Sequence, residues 1–140
     1  MNIYLDIDGV LLTHDGKLAC CAHEFLTYVT SHHPTYWLTT HCRGDIVNTH
    51  EFLKRSFPPE TYAVAKQIIP TNWNTYKTEA IDFTQPFLWF DDVIFAGEKM
   101  KLSQQSVIEN WIEVDLRKDE NQLQKFLTHF PIPIELLTTK

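Results

Sequence analysis

Ile3-Tyr4-Leu5-Asp6-Ile7-Asp8-Gly9-Val10-Leu11-Leu12 decides how the rest of this chain is read. Its first residues form an uninterrupted apolar run with a β-branched and an aromatic member, which predicts a buried strand. Asp6 falls where that strand stops, and in parallel α/β sheets the carboxyl ends of strands are where ligands bind. Residues i and i+2 of an extended chain share a face, so Asp6 and Asp8 address one small volume. Two carboxylates that close repel one another unless a cation or a shared proton offsets the charge. Gly9 lets the backbone turn sharply or approach a ligand closely. The stretch asks for a metal, although the same residues also suit an ordinary strand end before a turn.

Working outward, residues 13–17 read as a polar turn and residues 22–31 as a helix with Phe25, Leu26 and Val29 on one face. His32-His33-Pro34 ends that helix. Tyr36-Trp37-Leu38-Thr39 is a second strand, apolar until it reaches its threonines. Asp45 suits the cap of a helix in which Ile46, Leu53 and Phe57 recur at helical spacing, and Pro58-Pro59 stops it. Gln67-Ile68-Ile69 suits a short third strand. Lys77 opens a short helix through Ala80 and Ile81. Phe87-Leu88-Trp89-Phe90 is the strongest buried strand, and it ends in Asp91-Asp92. Trp111-Ile112-Glu113-Val114 is a fifth strand. Asp119 caps a last helix with Gln122 at the capping-box position, Leu123, Phe126, Leu127 and Phe130 form its apolar stripe, and Pro131 closes it. Residues 93–110 give no assignable pattern, and a rim over the site suits their position.

Strands alternating with helices predict an α/β fold: a Rossmann-like parallel sheet with helices on both faces and right-handed crossovers. At 140 residues the chain is expected to form a single domain over 1–140. Hydrophobic content of 44% and charged content of 21% are ordinary for a globular protein. A formal charge of −6 argues against a nonspecific polyanion binder. No apolar run approaches the ~20 residues of a membrane span, and Asp6 and Asp8 stand where a signal peptide needs apolar residues. The expectation is a cytoplasmic protein without a membrane partner. Three cysteines, with Cys20 and Cys21 adjacent, suit neither a disulfide framework nor a zinc site, and are read as reduced.

Three strands end in a reactive group: Asp6, then Thr39, then Asp91-Asp92. In a parallel sheet those ends lie along one edge, and Lys77 joins them from a helix start. Phosphoryl transfer has a use for each. A carboxylate nucleophile takes a phosphoryl group and splits one difficult displacement into two easier ones. A hydroxyl and an ammonium hold the non-bridging oxygens. Mg²⁺ takes oxygen ligands and keeps several waters, so two or three carboxylates plus phosphate suffice. Taken singly, each residue has a plainer reading: Thr39 and Thr40 as strand-end residues, Lys77 as a solvated helix residue, and Asp91-Asp92 as a turn. Together, and in this order, they favour the site. Arg43 is a further substrate-contact candidate because arginine forks onto phosphate oxygens. His41 suits a place at the pocket mouth. Trp73 and Tyr76 read as packing residues with a possible place on the rim.

The set DIDGV, WLTT, a lysine opening a helix, and LWFDD resembles the four motifs of the haloacid dehalogenase (HAD) superfamily of phosphohydrolases, in their usual order. The resemblance covers the chain from about residue 3 to residue 92. It implies the HAD fold and a Mg²⁺-dependent phosphatase acting on a phosphate monoester. It also implies roles. Asp6 is the nucleophile that forms an aspartyl-phosphate, and Asp8 is the general acid and then base. Thr39 and Lys77 bind the phosphoryl group, with Thr40 and Arg43 beside them. Asp6, Asp91, Asp92 and the main-chain carbonyl of Asp8 hold Mg²⁺, with Asp91 as the inner ligand.

HAD enzymes usually carry an inserted cap after the first motif or between the second and third. Here one turn and one helix use up the stretch from Asp8 to Thr39, and the stretch from Thr39 to Lys77 is similarly filled. The expectation is a capless, open site for a large or polymeric phosphorylated substrate, covered by a partner or an oligomer. Trp37-Leu38-Thr39-Thr40-His41 is somewhat similar to HAD domains associated with bacterial RNA-repair proteins. That suggests a polynucleotide end, with a phosphoprotein as the other macromolecular substrate. The competing function is a phosphate-binding or signalling module, receiver-like, with little turnover. Receiver domains place their acidic pair first, whereas this chain places Asp91-Asp92 last.

Overall fold

The computed structural model describes residues 1–129. Four short strands, β1 (Asn2–Leu5), β2 (Thr35–Trp37), β3 (Phe87–Asp91) and β4 (Trp111–Glu113), pair in parallel in the order β2-β1-β3-β4. The central pair is in register from Asn2 opposite Phe87 to Leu5 opposite Phe90. Ile3–Leu5 of β1 and Phe87–Phe90 of β3 are unbroken apolar runs because both of their faces are covered. Alternation sends Ile3, Leu5, Leu88 and Phe90 to one core, and Tyr4, Phe87 and Trp89 to the other.

Five α-helices and two 3-10 turns complete the described chain. The first core is closed by α1 (Ala22–His32), α2 (Ile46–Ser56), α3 (Pro59–Ala65) and α5 (Gln122–His129), through Phe25, Leu26, Val29, Leu53, Ala65 and Leu123. Helix α1 touches both α3 and α5, and Phe25 meets Phe90 edge-on with ring centroids 5.2 Å apart. On the opposite face Leu102 of α4 (Ala96–Gln104), Ile81 and Trp73 pack on Tyr4 and Trp89. Helices therefore lie on both faces of an all-parallel sheet, a Rossmann-like α/β arrangement. Truncating a fully buried residue such as Leu26 to alanine is expected to cost about 2–5 kcal/mol. No helix among the described residues is long and apolar enough to cross a membrane.

The chain runs from β1 outward to β2, then returns past β1 to build β3 and β4 on the other side. The crevice at that reversal, between the carboxyl ends of β1 and β3, is where this class of sheet binds ligands. It positions everything described below.

Several expectations are corrected. The third strand at 67–69 shrinks to one parallel bridge, Ile69 with Tyr36, held by two backbone bonds to Thr35 and Trp37. Pro70 follows at once and has no N–H to extend the ladder. Pro58-Pro59 ends α2 but also begins α3, with Pro59 in the first turn, where a missing N–H is harmless. The helix at Lys77 is a single 3-10 turn, Lys77–Ala80. The unassigned stretch 93–110 contains α4. Helix α5 begins at Gln122, whose side chain does not fold back on Asp119. It accepts the Asp115 N–H at 2.7 Å and donates to the Glu113 carbonyl at 2.8 Å, tying α5 to the end of β4. Phe130 and Pro131 lie outside the described residues.

Candidate active site

Strand β1 ends at Leu5, but pairing continues one residue further: the Asp6 N–H donates to the Phe90 carbonyl at 3.0 Å. The chain then turns on itself. The carbonyl of fully buried Ile7 accepts the N–H groups of Val10, Leu11 and Leu12, and Gly9 takes φ +79°. The result separates the two acids by depth. Asp6 is 8% exposed, whereas the Asp8 side chain is 64% exposed at the rim. The backbone leaves the strand at Asp6, so the two acids reach the crevice at different depths.

Strand β3 delivers Asp91, 1% exposed, beside Asp6. One oxygen each of Asp6, Asp91 and Asp92 lies within 4.8 Å of the others. Lys77 joins them, its Nζ 2.7 Å from Asp91 Oδ2 and 3.5 Å from Asp6 Oδ2. The 3-10 turn that carries it is fixed by two glutamates. Glu98 accepts the Lys77 N–H and the Phe95 N–H, both at 2.8 Å. Glu79 accepts the N–H groups of Asn74, Thr75 and Tyr76.

The electrostatics follow from the count of charges. Burial raises the Asp6 carboxyl above its usual range, against the pull of Lys77. Burial, and then the neighbouring Asp6 charge, push Asp91 up to about 9. Burial alone would lower Lys77, but Asp6 and Asp91 together hold it above its ordinary value. Its charge is thus secure, and the strain falls on the acids. One ammonium faces the carboxyls of Asp6, Asp91 and buried Glu98, with Asp92 next to them. The cluster keeps a proton or takes a cation. Three carboxylates from two strand ends form the all-oxygen donor set that a hard divalent ion such as Mg²⁺ prefers.

Thr39 is fully buried, and its hydroxyl favours the ionised form of Asp6. The same hydroxyl accepts the His41 N–H at 3.3 Å, and the Thr39 carbonyl accepts the Cys42 N–H at 3.1 Å, so the turn after β2 is bound to it. Thr40 is exposed and lines a cavity of about 170 Å³ together with Asp6, Trp73, Lys77, Asp91 and Asp92. The indole N–H of Trp73 is buried without a hydrogen-bond partner among the described residues. Arg43 does not line this cavity. Its guanidinium stacks 4.0 Å over Trp73 and donates to the Asn74 carbonyl at 2.9 Å, bracing the loop that leads to Lys77.

His41 sits at the mouth with its Nε2 2.7 Å from Asp8 Oδ2. The imidazole lies flat on Phe52, 3.7 Å between centroids and 11° between planes, so its direction is set by packing. The residues that sequence reasoning missed are Glu98 and Phe52. Glu98 stands three residues after Phe95, the position from which a glutamate closes a helix start. That signal is weak without Ser or Thr at the cap. No protein-family model, curated protein or solved structure matches the chain.

Proposed function

We propose that this protein is a Mg²⁺-dependent phosphohydrolase with the HAD fold, hydrolysing a phosphate monoester through an aspartyl-phosphate on Asp6. The observation that carries the reading is the buried cluster of Asp6, Asp91 and Asp92 around a single lysine. It has more negative charge than its own cation can balance, at the sheet edge where such folds bind ligands. A bound Mg²⁺ would be held by Asp6, Asp91 and Asp92 with the Asp8 carbonyl, and would supply charge neutralisation between an anionic nucleophile and an anionic ester.

The chain's own residues then divide the work. Asp6 Oδ attacks phosphorus and the ester P–O bond breaks. The Lys77 ammonium and the Thr39 hydroxyl stand beside Asp6, where the non-bridging oxygens carry charge through transfer. Asp8 gives its proton to the leaving oxygen and afterwards takes one from the water that cleaves the acyl phosphate. His41 orients Asp8, and Phe52 orients His41. Glu98 and Glu79 hold the Lys77 turn, and Arg43 braces it through Trp73.

A cavity of about 170 Å³ is small against the ~300 Å³ and upward of ordinary ligand pockets. It suits a phosphoryl group and an ion, leaving the remainder of the substrate outside. The capless reading is supported by Leu53, Phe57 and Ala65, which bury α2 and α3 in the sheet core rather than over the site. An open site of this kind suits a large substrate or a covering partner. The test is beryllofluoride with Mg²⁺, which mimics a phosphoryl group on a carboxylate. An adduct on Asp6 that requires Mg²⁺ and is lost in Asp6→Asn supports the reading; an adduct elsewhere, or none, overturns it.

A further inference from the structure

The catalytic cavity does not end at Asp92 and Val93. The same two residues form one wall of a larger groove of about 530 Å³, whose other wall is the turn after β4. The fold makes the two neighbours: the Val114 N–H donates to the Asp91 carbonyl, so the segment leaving β4 runs beside the Asp91-Asp92 loop at the ligand-binding edge. Buried Leu116 anchors this turn, and Gln122 clamps it to α5 through Asp115 and Glu113.

The charges in that groove are unequal in what they have left to do. One Asp115 oxygen accepts the N–H groups of Arg117 and Lys118, and the other lies 3.8 Å from Lys118 Nζ. The Arg117 guanidinium is exposed and has no hydrogen bond or ion pair among the described residues. Arg117 thus brings an uncommitted cationic fork to a groove that shares Asp92 and Val93 with the cavity. Guanidinium forks match phosphate oxygens in geometry as well as charge. The volume lies within the range of small-ligand pockets, enough for the group that bears the ester.

We propose that this groove is a second anion subsite, with Arg117 as its specificity residue, and that the favoured substrate carries a second phosphate on the leaving-group side of the ester it loses. This rests on the phosphatase reading and names its substrate class. The second phosphate comes either from a small bisphosphate or from the next linkage of a nucleic-acid strand with a terminal phosphate.

The experiment compares the full chain with Arg117→Ala and Arg117→Lys on an aryl phosphate, a nucleoside bisphosphate and a short single-stranded oligonucleotide bearing a terminal phosphate. Arg117→Ala is expected to raise KM roughly tenfold for substrates with a second phosphate, with kcat unchanged and the aryl phosphate unaffected. Arg117→Lys restores part of the loss, and added salt weakens the preference. An effect confined to the bisphosphate, or to the oligonucleotide, identifies the source. Equal effects on all three esters, or none, overturn the subsite. Binding of the bisphosphate to Asp6→Asn, with and without Arg117→Ala, separates the two ideas. A tenfold loss of affinity on Arg117→Ala, together with a wild type that hydrolyses none of the three esters, keeps the subsite and removes the phosphatase. Turnover without any dependence of binding on Arg117 does the reverse.

Discussion

Gly9→Ala tests whether the turn after β1 and the acids of the proposed metal site form one unit. Gly9 has φ +79°, and a methyl group there would lie 2.5 Å from Asp92 Oδ2, 2.8 Å from Cγ and 3.1 Å from Cβ. The backbone conformation alone costs an L-residue about 1 kcal/mol. Contact with Asp92 Cβ as well as Cγ and Oδ2 means that a side-chain rotation cannot clear the clash fully. Pushing Asp92 off its position adds about 1–2 kcal/mol. Gly16 supplies the control: its φ is +78°, yet nothing lies within 4 Å of its added Cβ. Gly16→Ala should therefore lose about 1 kcal/mol and Gly9→Ala about 2–3 kcal/mol, read by urea unfolding. At this chain length each kcal/mol is about 4 °C in Tm. The functional prediction is sharper. Moving Asp92 should weaken Mg²⁺ roughly tenfold in Gly9→Ala and leave Gly16→Ala like the wild type, measured by the stabilisation that added Mg²⁺ confers. Two glycine variants with equal stability and equal response to Mg²⁺ would refute the reasoning.

Other outcomes follow from the same cluster. Lys77→Met leaves Asp6 and Asp91 buried without their ammonium, and unfolding should lose about 3 kcal/mol, partly recovered by Mg²⁺ or by acid. The metal-free protein should lose stability as pH rises from about 4 towards about 9, because folded Asp91 keeps a proton up to about 9 that an unfolded aspartate releases near 3.8. Saturating Mg²⁺ should flatten that slope, and its binding should release about one proton near neutral pH, read by calorimetry in buffers of different ionisation enthalpy. His41→Ala should lower kcat about tenfold with little change in KM, since it disorients Asp8 without touching the phosphoryl contacts. An unchanged kcat would remove His41 from the site.

The central strands were legible in the sequence because burial on both faces writes an unbroken apolar run, as in Phe87-Leu88-Trp89-Phe90. Strand ends follow directly, which is why the sequence alone places Asp6, Thr39 and Asp91 on one edge. Helix α4 was not legible. Among its nine residues only Glu98 and Leu102 are buried, too few for a visible period, and one of them is an acid. Glu98 turns inward because two backbone N–H groups need an acceptor there, a demand set by the fold rather than by its neighbours in sequence. The His41–Asp8 pair spans thirty-three positions and depends on Phe52 to aim the ring, so no local pattern carries it. Arg43 reads as a phosphate ligand by its chemistry, whereas its stacking on Trp73 and its hydrogen bond to the Asn74 carbonyl join distant parts of the chain and have no local signal.

Phosphate release from an aryl phosphate, with and without Mg²⁺, for the wild type and Asp6→Asn, tests the central claim most directly. The account predicts turnover that needs Mg²⁺ and vanishes in Asp6→Asn, with the variant still folded and at least as stable without metal, since it removes a surplus buried charge. Turnover that survives Asp6→Asn, or a wild type that does not bind Mg²⁺ at all, would contradict it.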